Sequence, residues 1–198
     1  MTTIAIIGTA GRRDDAVRLD WPTYLLMRAA VLEQLQRIPR PWHGRSGGAA
    51  WADHIAVDLY LCGILDELTL YLPCPINQRG EFVDSPTGRI ARYYHNVFSR
   101  IRAAAGLGTS FDDLAAVMRL GAQVGYVDAE HGEGFHPRNI LVGQCEVVIA
   151  LTFGGGVVPK DGGTRHTWDN STAPTKIHIP IGKLQHPPPQ QNLFSEGP

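Results

Sequence analysis

Three short runs carry residue types suited to holding a phosphorylated ligand. The last of them joins Phe135-His136-Pro137-Arg138-Asn139, the apolar stretch 147–153, and Asp161-Gly162-Gly163-Thr164. It reads as a short helix bearing an Arg-Asn pair, a buried strand, and a glycine turn that opens another helix. Sheets of α/β proteins hold phosphates at such turns, because free amides at a helix start face the anion. Two glycines followed by a threonine hydroxyl make a cradle for an anion or a ribose. Gly162, Gly163 and Thr164 are therefore candidate ligand contacts, with Arg138 and Asn139 beside them. His166 and Asp169 lie three apart on the following helix and could move a proton or orient a base or sugar.

The first run is Gly8-Thr9-Ala10-Gly11-Arg12. Glycines here let backbone approach a ligand, and Arg12 could add charge-assisted bonds to phosphate. The second is Ser46-Gly47-Gly48-Ala49, followed by Asp53 and His54. Asp53 could reach a ribose hydroxyl or brace a neighbouring loop. Neither run is a GxGxxG fingerprint with an acidic residue about 20 positions on, which argues against ordinary NAD-dependent hydride transfer.

These turns need a sheet to bring them together, and the apolar pattern supplies one. Strands are expected at 3–7, 42–45, 68–72, 124–127, 147–153 and 177–181. Helices are expected at 22–38, from the second turn to about 63, at 88–105 and at 111–122. In the first helix, Leu25, Ala29, Leu32, Leu35 and Ile38 form the expected inward stripe. Ser110 is the expected N-cap of the 111–122 helix. Strands alternating with helices imply an α/β fold, a Rossmann-like three-layer sandwich with a mostly parallel sheet. Right-handed crossovers would then put the turns after the first, second and fifth strands on one carboxyl edge. The chain divides into one domain at 1–183, with an insertion or lid at about 74–110, and a Pro-rich flexible tail at 184–198.

Composition narrows the function classes. With 18 Lys+Arg against 19 Asp+Glu, the net charge of -1 gives no whole-chain case for nucleic-acid or membrane binding. The histidines are too dispersed for a zinc spacing, so no metal and no cofactor is assigned. Cys62, Cys74 and Cys145 are odd in number and form no disulfide framework, and Cys62 and Cys145 read as buried thiols. No stretch is apolar enough to span a bilayer and no leader pattern is visible, so a cytoplasmic location is expected.

In order and placement, the three runs resemble the SLOG superfamily of Rossmann-like nucleotide-binding proteins, which includes the Lonely Guy phosphoribohydrolases and the DNA-processing protein A family. Gly8-Thr9-Ala10-Gly11-Arg12 is similar to that group's first-strand loop. Ser46-Gly47-Gly48-Ala49 with Asp53 resembles the SGGAxGxD pattern of the DNA-processing branch. Arg138-Asn139 before the strand and Gly162-Gly163-Thr164 after it follow the group's RN…GGT order. The resemblance covers roughly 3–65 and 135–182. It implies a nucleotide-type small molecule as ligand and a homo-oligomer.

One position departs from the pattern. Phosphoribohydrolases carry PGGxGTxxE, whose glutamate helps cleave an N-glycosidic bond, and here Thr167 stands where that glutamate would be. A threonine cannot stabilise an oxocarbenium-like charge as a carboxylate does. Three functions follow as expectations. The first is binding of a nucleotide or ADP-ribose-type molecule. The second is N-glycoside hydrolysis or deoxyribosyl transfer, with Asp169, Asp53 or Glu133 as the carboxylate and His166 as acid or base. The third is single-stranded DNA binding, against which the near-zero charge weighs.

Overall fold

The computed structural model describes residues 1–127, 135–160 and 162–185. Six strands form a single parallel sheet: β1 (Thr2–Gly8), β2 (Trp42–Ser46), β3 (Glu67–Leu72), β4 (Gln123–Tyr126), β5 (Val147–Thr152) and β6 (Thr175–Pro180). Their order across the sheet is β4-β3-β2-β1-β5-β6. The chain steps outward from β1 to β4, then returns to start β5 on the other side of β1. The loops leaving β1 and β5 therefore diverge, and a crevice opens between them at the carboxyl edge.

Helices cover both faces, giving a Rossmann-like three-layer sandwich. They are α1 (Trp21–Leu35), α2 (His54–Leu61), α3 (Pro86–Ala104), α4 (Ser110–Arg119), α5 (His136–Gly143), α6 (Gly162–Asn170) and α7 (Ile181–Gln185). Side chains along β1 alternate between the faces, as strand geometry requires. Ile4 and Ile6 join the larger core with Met27 and Val31 of α1, Ile55 and Leu59 of α2, Phe98 of α3 and Leu114 of α4. Ala5 and Ile7 point the other way, into a smaller core with Val148 and Ala150 of β5, Val142 of α5 and Trp168 of α6.

Several local expectations need correction. In α1 the buried stripe is Tyr24, Met27, Val31 and Leu35, while Leu25 and Leu26 are 47% and 42% exposed. Two apolar stripes compete on this helix. The one carrying Tyr24 wins because its ring packs on Trp51 and Phe98, with centroids at 6.4 and 5.1 Å. The N-cap of α4 is Thr109, not Ser110. Thr109 and Asp112 form a reciprocal capping box, and Ser110 is buried one position further in. The helix after the second glycine turn begins as a 3-10 turn at Trp51–Asp53 and becomes α-helical only at His54. Cys62 is exposed, because it falls at the solvent end of α2; Cys74 and Cys145 are buried. Segment 74–110 lies within the connection from β3 to β4, and Phe98 anchors it to the core. The tail from 186 lies outside the described residues.

Candidate functional site

The three glycine turns and the Arg-Asn pair meet at the crevice, where hydrogen bonds tie them into a closed circuit. The Gly8 amide donates to Asp53 Oδ1 at 3.1 Å, joining the first turn to the second. Arg138 Nη1 donates to the Gly47 carbonyl, joining α5 to the second turn. Asn139 Nδ2 donates to the Gly163 carbonyl at 3.3 Å, joining α5 to the third turn. Thr164 Oγ1 donates to the Gly8 carbonyl at 2.9 Å and closes the loop. Within the turns, Ser46 Oγ donates to the Asp53 carbonyl and accepts from the Gly48 amide, and Thr9 Oγ1 donates to Asp15 and accepts from the Gly11 amide.

The glycines are there for space. A Cβ at Gly47 would sit 2.8 Å from Asp53 Oδ2 and 2.9 Å from Arg138 Cζ, so the carboxylate and the guanidinium close on this residue from two sides. A Cβ at Gly8 would lie 2.2 Å from the Leu151 carbonyl oxygen, which is backbone and cannot move aside. Gly11 adds a conformational reason, with φ at +76° beneath the indole of Trp51.

Asp53 and Arg138 are both buried, and burial disfavours both charges. It pushes the Asp53 carboxyl up, opposed by the Arg138 charge and the amides of Gly8, Ala49 and Gly47. It pulls the Arg138 guanidinium down, opposed by Asp53. Arg138 Nε has no hydrogen-bond partner among the described residues. Asp53 thus braces the first turn through the Gly8 amide. Arg12 is exposed, its guanidinium 5.6 Å from the Tyr94 ring centroid and 5.3 Å from that of Phe135. Gly162 and Gly163 are exposed at the start of α6, and a Cβ on Gly162 would meet nothing within 4 Å.

Among the described residues, those expected to do acid–base chemistry are not hydrogen-bonded to one another. Asp169 is held by Arg165 one helical turn back, with Nε to the carboxylate at 2.7 and 2.8 Å. His166 stacks on His136 instead, centroids 4.1 Å apart and planes within 9°. Burial, then the His136 charge, lowers the pKa of His166, against a raising effect from Asp169. Thr167 donates its hydroxyl to the Gly163 carbonyl at 3.1 Å. Glu133 lies outside the described residues.

Sequence reasoning missed the support beneath the second turn. His95 of α3 is fully buried; its Nε2 lies 2.9 Å from the Gly48 carbonyl and its Nδ1 2.9 Å from Ser110 Oγ. A carbonyl only accepts, so Nε2 carries the proton and Nδ1 accepts from the serine. Burial lowers this histidine to a pKa of about 3, keeping it neutral. A signal was present: His95, Ser99 and Arg102 form a polar stripe that includes Phe98, and all four are buried.

A second network lies deeper among the helices. Tyr24 donates to Asp58 at 2.6 Å, and Arg102 reaches Asp58 at 3.4 Å and Asp113 at 2.5 Å. His54 Nε2 meets Asp113 at 2.9 Å. His54, Asp58 and Asp113 bring ligand atoms within 4.8 Å of one another, a spacing a metal could use. The Arg102 guanidinium already occupies the cationic position between the carboxylates.

Fold and site together define a Rossmann-like α/β protein with a glycine-walled crevice at the switch point of its sheet. An uncharacterised protein of Acanthamoeba polyphaga mimivirus, R261, is 36% identical to this chain over 135 residues, covering 68% of each chain. The chain belongs to the same family as that viral protein. No family model matches it, and no solved structure matches it. Among the described residues, no helix is long and apolar enough to cross a membrane.

Proposed function

We propose that this protein binds a nucleotide or nucleotide-derived small molecule in the crevice between the loops leaving β1 and β5. The closed hydrogen-bond circuit through Gly8, Asp53, Gly47, Arg138, Asn139, Gly163 and Thr164 carries this reading. A circuit drawn from four separate segments holds glycine backbone rigidly at a sheet's switch point, which favours preorganised ligand binding. The exposed glycines at the start of α6 offer amides to a phosphate, and Arg12 offers a cation. The resemblance to the SLOG superfamily points the same way.

N-glycosidic hydrolysis or deoxyribosyl transfer needs a carboxylate free to act. Asp53 is engaged by Gly8 and Arg138, and Asp169 by Arg165. Binding is therefore better supported than turnover. The self-association that the resemblance implies is measured directly by light scattering.

A thermal-shift screen over nucleoside mono-, di- and triphosphates, NAD and ADP-ribose tests the reading. A ligand at 100 times its dissociation constant stabilises by about 2.7 kcal/mol. For a chain of this size that raises the melting temperature by about 5–11 °C. If no nucleotide shifts the melting temperature, the proposal fails. Release of free base from a nucleotide, abolished by Asp169→Ala, would replace it with the hydrolase reading.

A further inference from the structure

Helix α3, which none of the glycine motifs includes, touches the second turn through His95 and Arg12 of the first run through Tyr94. Pro86, Arg89, Ile90, Tyr93 and Tyr94 line an open groove of about 380 Å³ on its outer face. That volume lies at the small end of the range for ligand sites and is ample for one heterocyclic base. Tyr93 is 63% exposed and Ile90 is 44% exposed, so the groove offers one aromatic ring and one aliphatic surface to solvent. The Tyr93 and Tyr94 rings meet edge to face, centroids 5.2 Å apart and planes at 83°. Tyr94 in turn lies against the Arg12 guanidinium. Arg12 ends the first glycine run, so the groove and that run meet at the Arg12–Tyr94 contact.

Lining chemistry distinguishes the two halves. Within the groove, Arg89 is bound to Asp84 at 3.0 Å, and the same carboxylate lies 3.6 Å from Arg92, so one acid serves two guanidiniums. The rest of the lining is aromatic or apolar. Such a surface suits a planar ring. Arg12 and the glycine turns on the other side suit an anion and not a ring.

We infer that the α3 groove is the base subsite of the nucleotide site. A heterocyclic base stacks on Tyr93 while its sugar and phosphate extend past Arg12 into the crevice. The inference rests on the nucleotide reading above and adds which end of the ligand α3 reads. The 74–110 segment thereby becomes the selectivity element of the site.

Isothermal titration of the full chain distinguishes the two levels. The probes are ribose 5-phosphate, the four ribonucleoside monophosphates and ADP-ribose. At least one base-bearing probe should bind tenfold or more tightly than ribose 5-phosphate. Tyr93→Ala should weaken that probe by about 5- to 150-fold, the range for loss of one aromatic–base stack. Its ribose 5-phosphate affinity should stay unchanged, and Tyr93→Phe should bind as the parent does. Tyr93 is exposed, so neither change threatens folding, which circular dichroism verifies. If ribose 5-phosphate binds as well as every nucleotide, or Tyr93→Ala leaves nucleotide affinity intact, the base subsite is overturned and the nucleotide site stands. If no probe binds, both fall. If Tyr93→Ala instead dissociates an oligomer in light scattering without changing affinity, the groove belongs to a second copy of the chain.

Discussion

Removing Arg138 should convert Asp53 from a brace into a pH-dependent liability. Asp53 is 7% exposed and Arg138 8%, so neither charge has water to fall back on. In Arg138→Met the carboxylate must stay buried and unpaired or take up a proton. Arg138 acts on Asp53 through its charge rather than through a direct bond, so the loss should not exceed the roughly 3–5 kcal/mol of a broken buried ion pair. Protonation sets an independent ceiling. The ordinary Asp value is 3.8, and pH 7 lies about 3.2 above it. At about 1.36 kcal/mol per pH unit, holding the group neutral at pH 7 costs about 4.4 kcal/mol. The two routes agree. The sign follows from proton counting. With the folded pKa raised above the unfolded value, the folded state binds more protons, so stability falls as pH rises from 3.8 towards the raised value. The parent's Asp53 is itself raised, so the deficit of Arg138→Met against it should stay below this ceiling at pH 7 and shrink as pH falls towards 5. Urea unfolding followed by circular dichroism at pH 5, 6 and 7 measures this. Arg138→Met/Asp53→Asn should flatten the dependence. A deficit below about 1 kcal/mol at pH 7, or one that does not change with pH, would refute the assignment of Asp53 and Arg138 as a coupled buried pair.

Three further outcomes are expected. Gly47→Ala drives a Cβ into Asp53 Oδ2 and the Arg138 guanidinium; it should cost about 1–3 kcal/mol in thermal unfolding and weaken ligand binding at least about tenfold. Arg102→Leu strands Asp58 and Asp113, both largely buried, and should lose about 3–5 kcal/mol in urea; Arg37→Ala, which breaks an exposed pair with Glu33, should stay within about 0.5 kcal/mol. His95, lowered to about 3, opposes Asp53 in its pH dependence. The unfolded chain binds the extra proton, so this group's contribution is whole above its ordinary 6.5 and is lost by about 1.4 kcal/mol per unit as pH falls towards 3. His95→Gln should flatten that slope in urea midpoints taken at pH 7, 6 and 5, and an unchanged slope would exclude a buried neutral histidine.

What the sequence made legible was local, and what it hid was pairwise across distance. The apolar runs of β1 and β5 and the three glycine turns each announce themselves within ten residues, so the sheet and its carboxyl-edge loops could be read directly. The buried stripe of α1 could not be read, because Leu25 and Tyr24 start equally good helical stripes and only the rings of Trp51 and Phe98 choose between them. That Asp53 braces the first turn depended on the Gly8 amide, 45 residues away. The same distance reshapes the meaning of the motif residues. Thr164, Asn139, Arg138 and Asp53 carry the side chains that look most like ligand contacts, yet each spends a hydrogen-bonding group on another turn of the circuit. On the nucleotide reading, those side chains fix the position of backbone, and the contacts left to a ligand are amides, Arg12 and the rings beside it. Substitutions in the circuit should therefore act on stability and affinity together, whereas Tyr93 should act on affinity alone.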